Sequence, residues 1–271
     1  MKLINFFIFL LIASSLSSCI EEIDLILKEQ DQEQLVVEGM ITTDTTAHIV
    51  KLSKTAPYFS QKPAERASGA DVTITDDFGN VFQLEEYDPG IYKTGTDVYG
   101  IIGRTYNLNI KFGGETYSAQ STMKRVPVID SLGYVWNPQR EQYIILLYGQ
   151  EPEGKGDNYM WHVYKNGQHV TDTIDKVLFI DDELFDGAYI MGFKIEHWIY
   201  DYNIQKGDTV RVDTHSIPHD ALLFFTGVLN ESHYSWSPID TPPANIKGNI
   251  SNEAIGLFFA SGISRNTVII E

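Results

Sequence analysis

Histidines and carboxylates are the residue types here that could bind a metal or move a proton. His215 and His219 stand four apart, a spacing that puts two imidazoles on one face of a helix. The Glu that zinc proteases place between two such histidines is missing, so a polar first helical turn is the competing reading. The acidic run DDELFDG offers Asp181, Asp182, Glu183 and Asp186 as hard oxygen ligands for calcium. It lacks the 12-residue ligand spacing of an EF-hand, which favours a solvated loop. Serines are plentiful, but no Gly-x-Ser-x-Gly elbow occurs and no histidine sits in a local motif beside a nucleophile. Carboxylate pairs for hydrolysis depend on separation in space, which a sequence does not give. The expectation is a non-enzymatic protein with no catalytic residue, metal or cofactor.

Two aromatic stretches point to binding instead. In HWIYDY, strand geometry sends Trp198, Tyr200 and Tyr202 to one face, either as a platform for a sugar or peptide side chain or as an inner core stripe. In APYF, Tyr58 and Phe59 follow Pro57 between two strands and form a candidate exposed contact.

These residues need β elements to hold them. LVVEGMIT, AHIVKLSKT, ADVTITD, VFQLEEY, GIYKT, TYNLNIKF and ETYSAQS are rich in β-branched and aromatic residues, and Gly, Pro, Asp or Asn bounds them. Asp77-Phe78-Gly79-Asn80 and Gly113-Gly114 supply tight turns. Seven short strands over 34–126 predict an immunoglobulin-like β-sandwich. RVPVIDSL then marks a boundary at Pro127. Residues 127–271 read as a second, β-rich, sandwich-like domain, with YIILLY, YMWHVY, HVTDT, HWIYDYNI, TVRVDT, AIGLFFASGIS and TVIIE as strands and Asn166-Gly167 as a turn. One amphipathic helix is expected near 217–233, from Ala221, Phe224, Phe225, Val228 and Leu229, with Ser216 as N-cap and Pro218 in the first turn.

The beginning of the chain has a different logic. Lys2, the apolar run Ile4 to Ala13 and the small residues up to Ser18 form a signal peptide over 1–18. About 10 apolar residues fall well short of the roughly 20 that span a bilayer. Leu16-Ser17-Ser18-Cys19 resembles the bacterial lipobox, which makes Cys19, the single cysteine, a lipidated first mature residue. Residues 19–33 are then an acidic tether. Within it Glu21, Glu22 and Asp24 resemble the surface-export signal of Bacteroidetes lipoproteins, the alternative being a solvated tether on the periplasmic face. With 37 acidic and 20 basic side chains and a net charge of −17, the protein repels phosphate backbones, which argues against nucleic acid as a partner.

LVVEG, LSKTAPYF, GADVTITDDFGN, GIYKT, VPVIDSL and above all DTPPANIKGNISNEAIGLFFASG resemble the Bacteroidetes lipoproteins of domain-of-unknown-function family 4249 across the mature chain. That resemblance implies an outer-membrane or cell-surface lipoprotein accompanying a TonB-dependent transporter, as an accessory that captures a glycan or peptide or covers the barrel. It implies no activity; a carboxylate hydrolase or a purely structural envelope lipoprotein is the alternative. In the last motif Pro242, Pro243, Asn245, Gly248 and Asn249 read as a rigid loop, or else as a partner-binding one. Asp-Ser/Thr-apolar-type triplets at Thr45, Ser131, Thr173 and Thr209 resemble the O-glycosylation signal of these bacteria.

Overall fold

The computed structural model describes residues 33–56, 62–196, 201–232, 246 and 248–271. The alternating segments become strands with one face in the core. In Leu35–Thr42 (β1), Leu35, Val37 and Ile41 are buried while Glu38 is exposed. Ile49–Lys54 (β2), Asp71–Asp76 (β3), Val81–Asp88 (β4), Ile91–Lys93 (β5), Thr105–Phe112 (β6) and Glu115–Thr122 (β7) follow, so all seven expected strands form. Gly113 and Gly114 take φ of 61° and 86°, the left-handed pair that a two-residue hairpin between β6 and β7 requires.

The strand order is β1-β2-β5-β4-β3-β6-β7, and β4 folds the sheet over on itself. Its first half, Val81 to Leu84, pairs with β3; its second half, from Glu85, pairs with β5. Three strands thus face four around a core that includes Val37, Leu52, Ile74, Leu108 and Ile110.

The second half repeats the plan. Val128–Asn137 (β8), Gln142–Gln150 (β9) and Tyr189–Ile195 (β13) form one sheet, in the order β13-β9-β8. Asn158–Lys165 (β10), Thr209–Ile217 (β14) and Ile263–Ile269 (β16) form the other, with the short Gln168–His169 (β11) and Leu178–Asp181 (β12) both on the far edge of β10. Ile145, Leu147, Tyr159, Trp161, Val163 and Val212 fill the space between. The fold is mainly β and of sandwich type, as the patterning predicts.

Between β14 and β16 the chain leaves this sandwich. It forms helix His219–Ser232 (α1) and then Ile255–Ser261 (β15), which pairs in parallel with β1 from Val36↔Ile255 to Thr42↔Ser261. From Gly256 to Ser261 every residue of β15 is buried. Phe258 and Ala260 enter the first core, while Leu257 and Phe259 meet α1 and the second sandwich. The outer edge of β15 is satisfied by side chains. Asn249 Nδ2 donates to Phe258 O at 2.7 Å and its Oδ1 accepts from Phe258 N at 3.0 Å, and Ser121 Oγ accepts from Ala260 N at 2.9 Å. Gly248 and Gly256 permit this approach, because a Cβ on either would collide with a backbone carbonyl, that of Gly256 and of Val37 respectively.

Several expectations change. VPVIDSL carries the first residues of β8, directly after the boundary at Pro127, and 127–271 returns a strand to the first sandwich, within the one compact unit Glu33–Glu271. A parallel partner more than 200 residues away leaves no local mark on β15, which reads only as a generic apolar strand. The helix matches its expected span to within two residues. Ser216 is not its cap: it lies in β14, donates from Oγ to Lys124 O, and leaves Pro218 O to accept from Ala221 and Leu222.

Asn249→Ala strips two buried backbone groups of their partners and is expected to cost about 2–4 kcal/mol in a denaturant titration. Asn249→Asp keeps the acceptor but sets a carboxylate oxygen against Phe258 O, and is expected to cost at least as much.

Candidate functional site

Strand alternation gives the β10–β14 sheet two different faces. Tyr159, Trp161 and Val163 point into the second core, and Met160 joins the cluster with α1 on the opposite face. On that outer face His162 stands opposite Asp213 in the ladder, and Met160 opposite His215. The face looks onto β1 and β15, and the space between is a groove of about 580 Å³. Met40, Met160, Phe179, Phe224, Phe225 and Leu257 make its wall apolar, and His162, His169, Asp172, Glu38 and Lys51 bring polar groups to it. An apolar cleft with a few converging polar groups at a junction of structural layers is the usual form of a ligand site.

The imidazoles form a tight group. His162 Nδ1 lies 3.0 Å from His169 Nε2, and Thr171 Oγ1 lies 3.0 Å from that same nitrogen and accepts from Val163 N at 3.0 Å. The ring of His215 stands edge-on to His162 with centroids 5.0 Å apart, and its Nδ1 is 3.1 Å from Ser261 Oγ. Burial, reinforced by the neighbouring His169, pulls His162 down to about 4. Burial also holds His215 well below its ordinary value, and lowers His169. The group is therefore neutral at pH 7. Beside it, burial pushes Asp213 up although Arg265 and Arg211 flank it. Arg265 also forms a two-pronged ion pair with Asp44, at 3.1 and 2.7 Å, which closes the seam between the sandwiches.

A second polar cluster lies apart. Glu151, Asp157 and Asp182 are all buried, with ligand oxygens within 4.8 Å of one another. Each is committed to protein donors. Glu151 accepts from Tyr159 Oη and Gly187 N; Asp182 accepts from Gly156 N and Asp157 N; Asp157 accepts from Arg125 Nε at 2.7 Å. Arg125 also donates to the carbonyls of Pro152 and Gly154. The arrangement ties the loop after β9 to the one after β12, and none of the three acids lines the groove.

The structure redistributes the residues singled out from sequence. Cys19, Glu21, Glu22, Asp24, Tyr58, Phe59, Trp198, Tyr200, Pro242, Pro243 and Asn245 lie outside the described residues. Tyr202 is in the second core, its hydroxyl donating to Lys176 O at 3.0 Å and its pKa raised by burial, which makes it a packing residue rather than a contact. His215 and His219 do not share a helical face, because β14 runs on to Ile217 and holds the first in a strand. Of the acidic run only Asp182 turns inward, while Asp181 and Glu183 are exposed and Asp186 accepts from Gly154 N. Gly248 and Asn249 act as the rigid structural loop. Thr45, Ser131, Thr173 and Thr209 are all exposed. Sequence reasoning missed His162 and His169; the alternation of YMWHVY places His162 opposite the core-facing Trp161, and that was the available signal.

One family model, "Domain of unknown function (DUF4249)", matches residues 20–267. The chain belongs to this family. No curated protein matches the sequence. The solved structures similar to it include a two fibronectin type-III domain segment from chicken tenascin, 13% identical over 68% of this chain and 91% of that chain, with a TM-score of 0.21. No helix among the described residues is long and apolar enough to cross a membrane.

Two outcomes are expected. His162 has a folded pKa below its unfolded value, so its contribution is complete above about pH 6.5 and is lost as pH falls toward 4. The unfolding free energy from denaturant titration should drop across that window, by up to about 3 kcal/mol, and His162→Gln should flatten the drop. Arg125→Met leaves Asp157 buried without its counter-charge; since Arg125 is partly exposed, a loss of about 2 kcal/mol is expected in the same titration.

Proposed function

We propose that this protein is a non-catalytic, lipid-anchored component of the outer membrane that captures a ligand in the groove between its sandwiches and works beside a TonB-dependent transporter. The groove carries this reading. Phenylalanine, methionine and aliphatic side chains make up most of its wall, and the polar groups that reach it are neutral imidazoles, two threonines and a few rim charges. Such a lining suits the apolar side chains of a peptide better than a sugar, whose hydroxyls need a dense set of donors and acceptors. Family membership supports the cellular setting, through the resemblance of its lipoproteins to transporter partners. Cys19 supplies the anchor, and the acidic residues Glu21, Glu22 and Asp24 direct the chain to the cell surface. A hydrolase built on carboxylates is less well supported, because the converging acids Glu151, Asp157 and Asp182 are buried and engaged by donors.

The test is a gentle-detergent pull-down of tagged protein from its native membrane, with mass spectrometry of co-purified proteins and of peptides released by acid. Wild-type protein is expected to bring a TonB-dependent barrel and a set of peptides. Cys19→Ala should lose the barrel. Ile255→Glu, which puts a charge at a 40% exposed groove position, should keep the barrel and lose the peptides. Recovery of the wild-type protein alone, at good yield, would refute the accessory role.

A further inference from the structure

The second sandwich contains another pocket, within its own core. It has a volume of about 220 Å³ and an apolar lining that includes Leu147, Tyr159, Phe185 and Phe193. Trp161 and Thr214 also line it, and they are direct partners across the β10–β14 ladder. Trp161 is only 4% and Thr214 only 1% exposed, yet neither Trp161 Nε1 nor Thr214 Oγ1 has a hydrogen-bond partner. Two orphan polar groups side by side in a buried wall are rare, because each costs about 1–3 kcal/mol of lost solvation. Two other buried polar groups of this core are satisfied: Tyr159 donates to Glu151, and Tyr202 to Lys176.

We infer that this pocket is a binding site for a small neutral molecule or side chain with an apolar, ring-sized body and one hydrogen-bond acceptor. The indole N–H can only donate, and the hydroxyl of its ladder partner can donate as well, so both orphan groups call for an acceptor oxygen in the pocket. A carboxylate is excluded by chemistry, since the lining residues include no cation to balance a buried charge. A carbonyl, ether or hydroxyl oxygen fits. Scaled from the roughly 150 Å³ cavity that takes up benzene, the volume accommodates about eight to ten non-hydrogen atoms. Entry is from the edge of the sheet. Tyr189 and Met191, on edge strand β13, line the pocket and are 49% and 82% exposed. The ladder with β9 slips at Gly192, whose φ is 80°, so the rim of the pocket lies where strand pairing is weakest. This site is independent of the groove between the sandwiches and of the reading attached to it.

The test compares two probes of nine non-hydrogen atoms each, similar in size, on the full-length chain: acetophenone, which carries the carbonyl acceptor, and cumene, which has a methyl group in place of the oxygen. The indole N–H resonance of Trp161, assigned by its loss in Trp161→Phe, reports contact. Acetophenone should move it saturably and bind about ten-fold more tightly than cumene, the value of one buried hydrogen bond. Trp161→Phe, checked for an unchanged thermal transition, should bind both probes equally when followed by their own resonances. Thr214→Val keeps the indole and should weaken acetophenone severalfold without affecting cumene, which preserves the test if Trp161→Phe does not fold. Equal binding of the two probes to the wild type, or no shift at millimolar concentration of either, would overturn the proposal, the second by indicating that a tightly held water satisfies both groups.

Discussion

The parallel pairing of β15 with β1 is the constraint on which the rest of the molecule depends. A strand buried on both faces and capped along its free edge has no solvent to fall back on, so every backbone group needs a protein partner. β1 supplies one edge, and Asn249 and Ser121 supply the other. Once β15 is fixed, the two sandwiches are fixed to each other, because β16 follows it after the single residue Gly262. Gly262 N donates to Ser216 Oγ, and Ile263 N to Thr43 Oγ1, so the crossing itself is hydrogen-bonded to both halves.

The groove is a consequence of that crossing. β15 and β1 form one wall, and the outer face of β10 with α1 forms the other, so a cleft remains where helix and sheet do not meet. The helix buries Ala221 and Leu222 and adds aromatic contact: Phe225 stacks on Phe179 at 5.2 Å and meets Phe259 edge-on at 5.6 Å. At the polar end of the same face, desolvation keeps the histidines neutral, and Asp213, Arg211, Arg265 and Asp44 form a charged seam beside them. Apolar wall, neutral donors and a charged margin follow from one strand alternation, which sends Trp161 inward and His162 outward.

The acid cluster shows the same economy in a different form. Its carboxylates serve as acceptors for loop N–H groups that no strand satisfies, and Arg125 balances part of the charge. The acidic run that looked like a ligand set contributes one member, Asp182, and the other two come from the ends of β9 and β10. Burial, rather than local density of acids, selects the residues that converge.

The sequence by itself determined the strands of the first sandwich, its hairpin turns, the helix and the family, because period-two burial, left-handed glycines and helical spacing are local properties. It could not assign Tyr202 to packing or contact, since a stripe of aromatics has the same pattern in either role. Nor could it bring His162 and His169 to the groove, or Trp161 beside Thr214, because those meetings depend on sheet order. Only the tertiary structure decided which sandwich β15 belongs to: parallel pairing over more than 200 residues is chosen by the burial of Phe258 and Ala260 against a distant core, and no local signal records that choice.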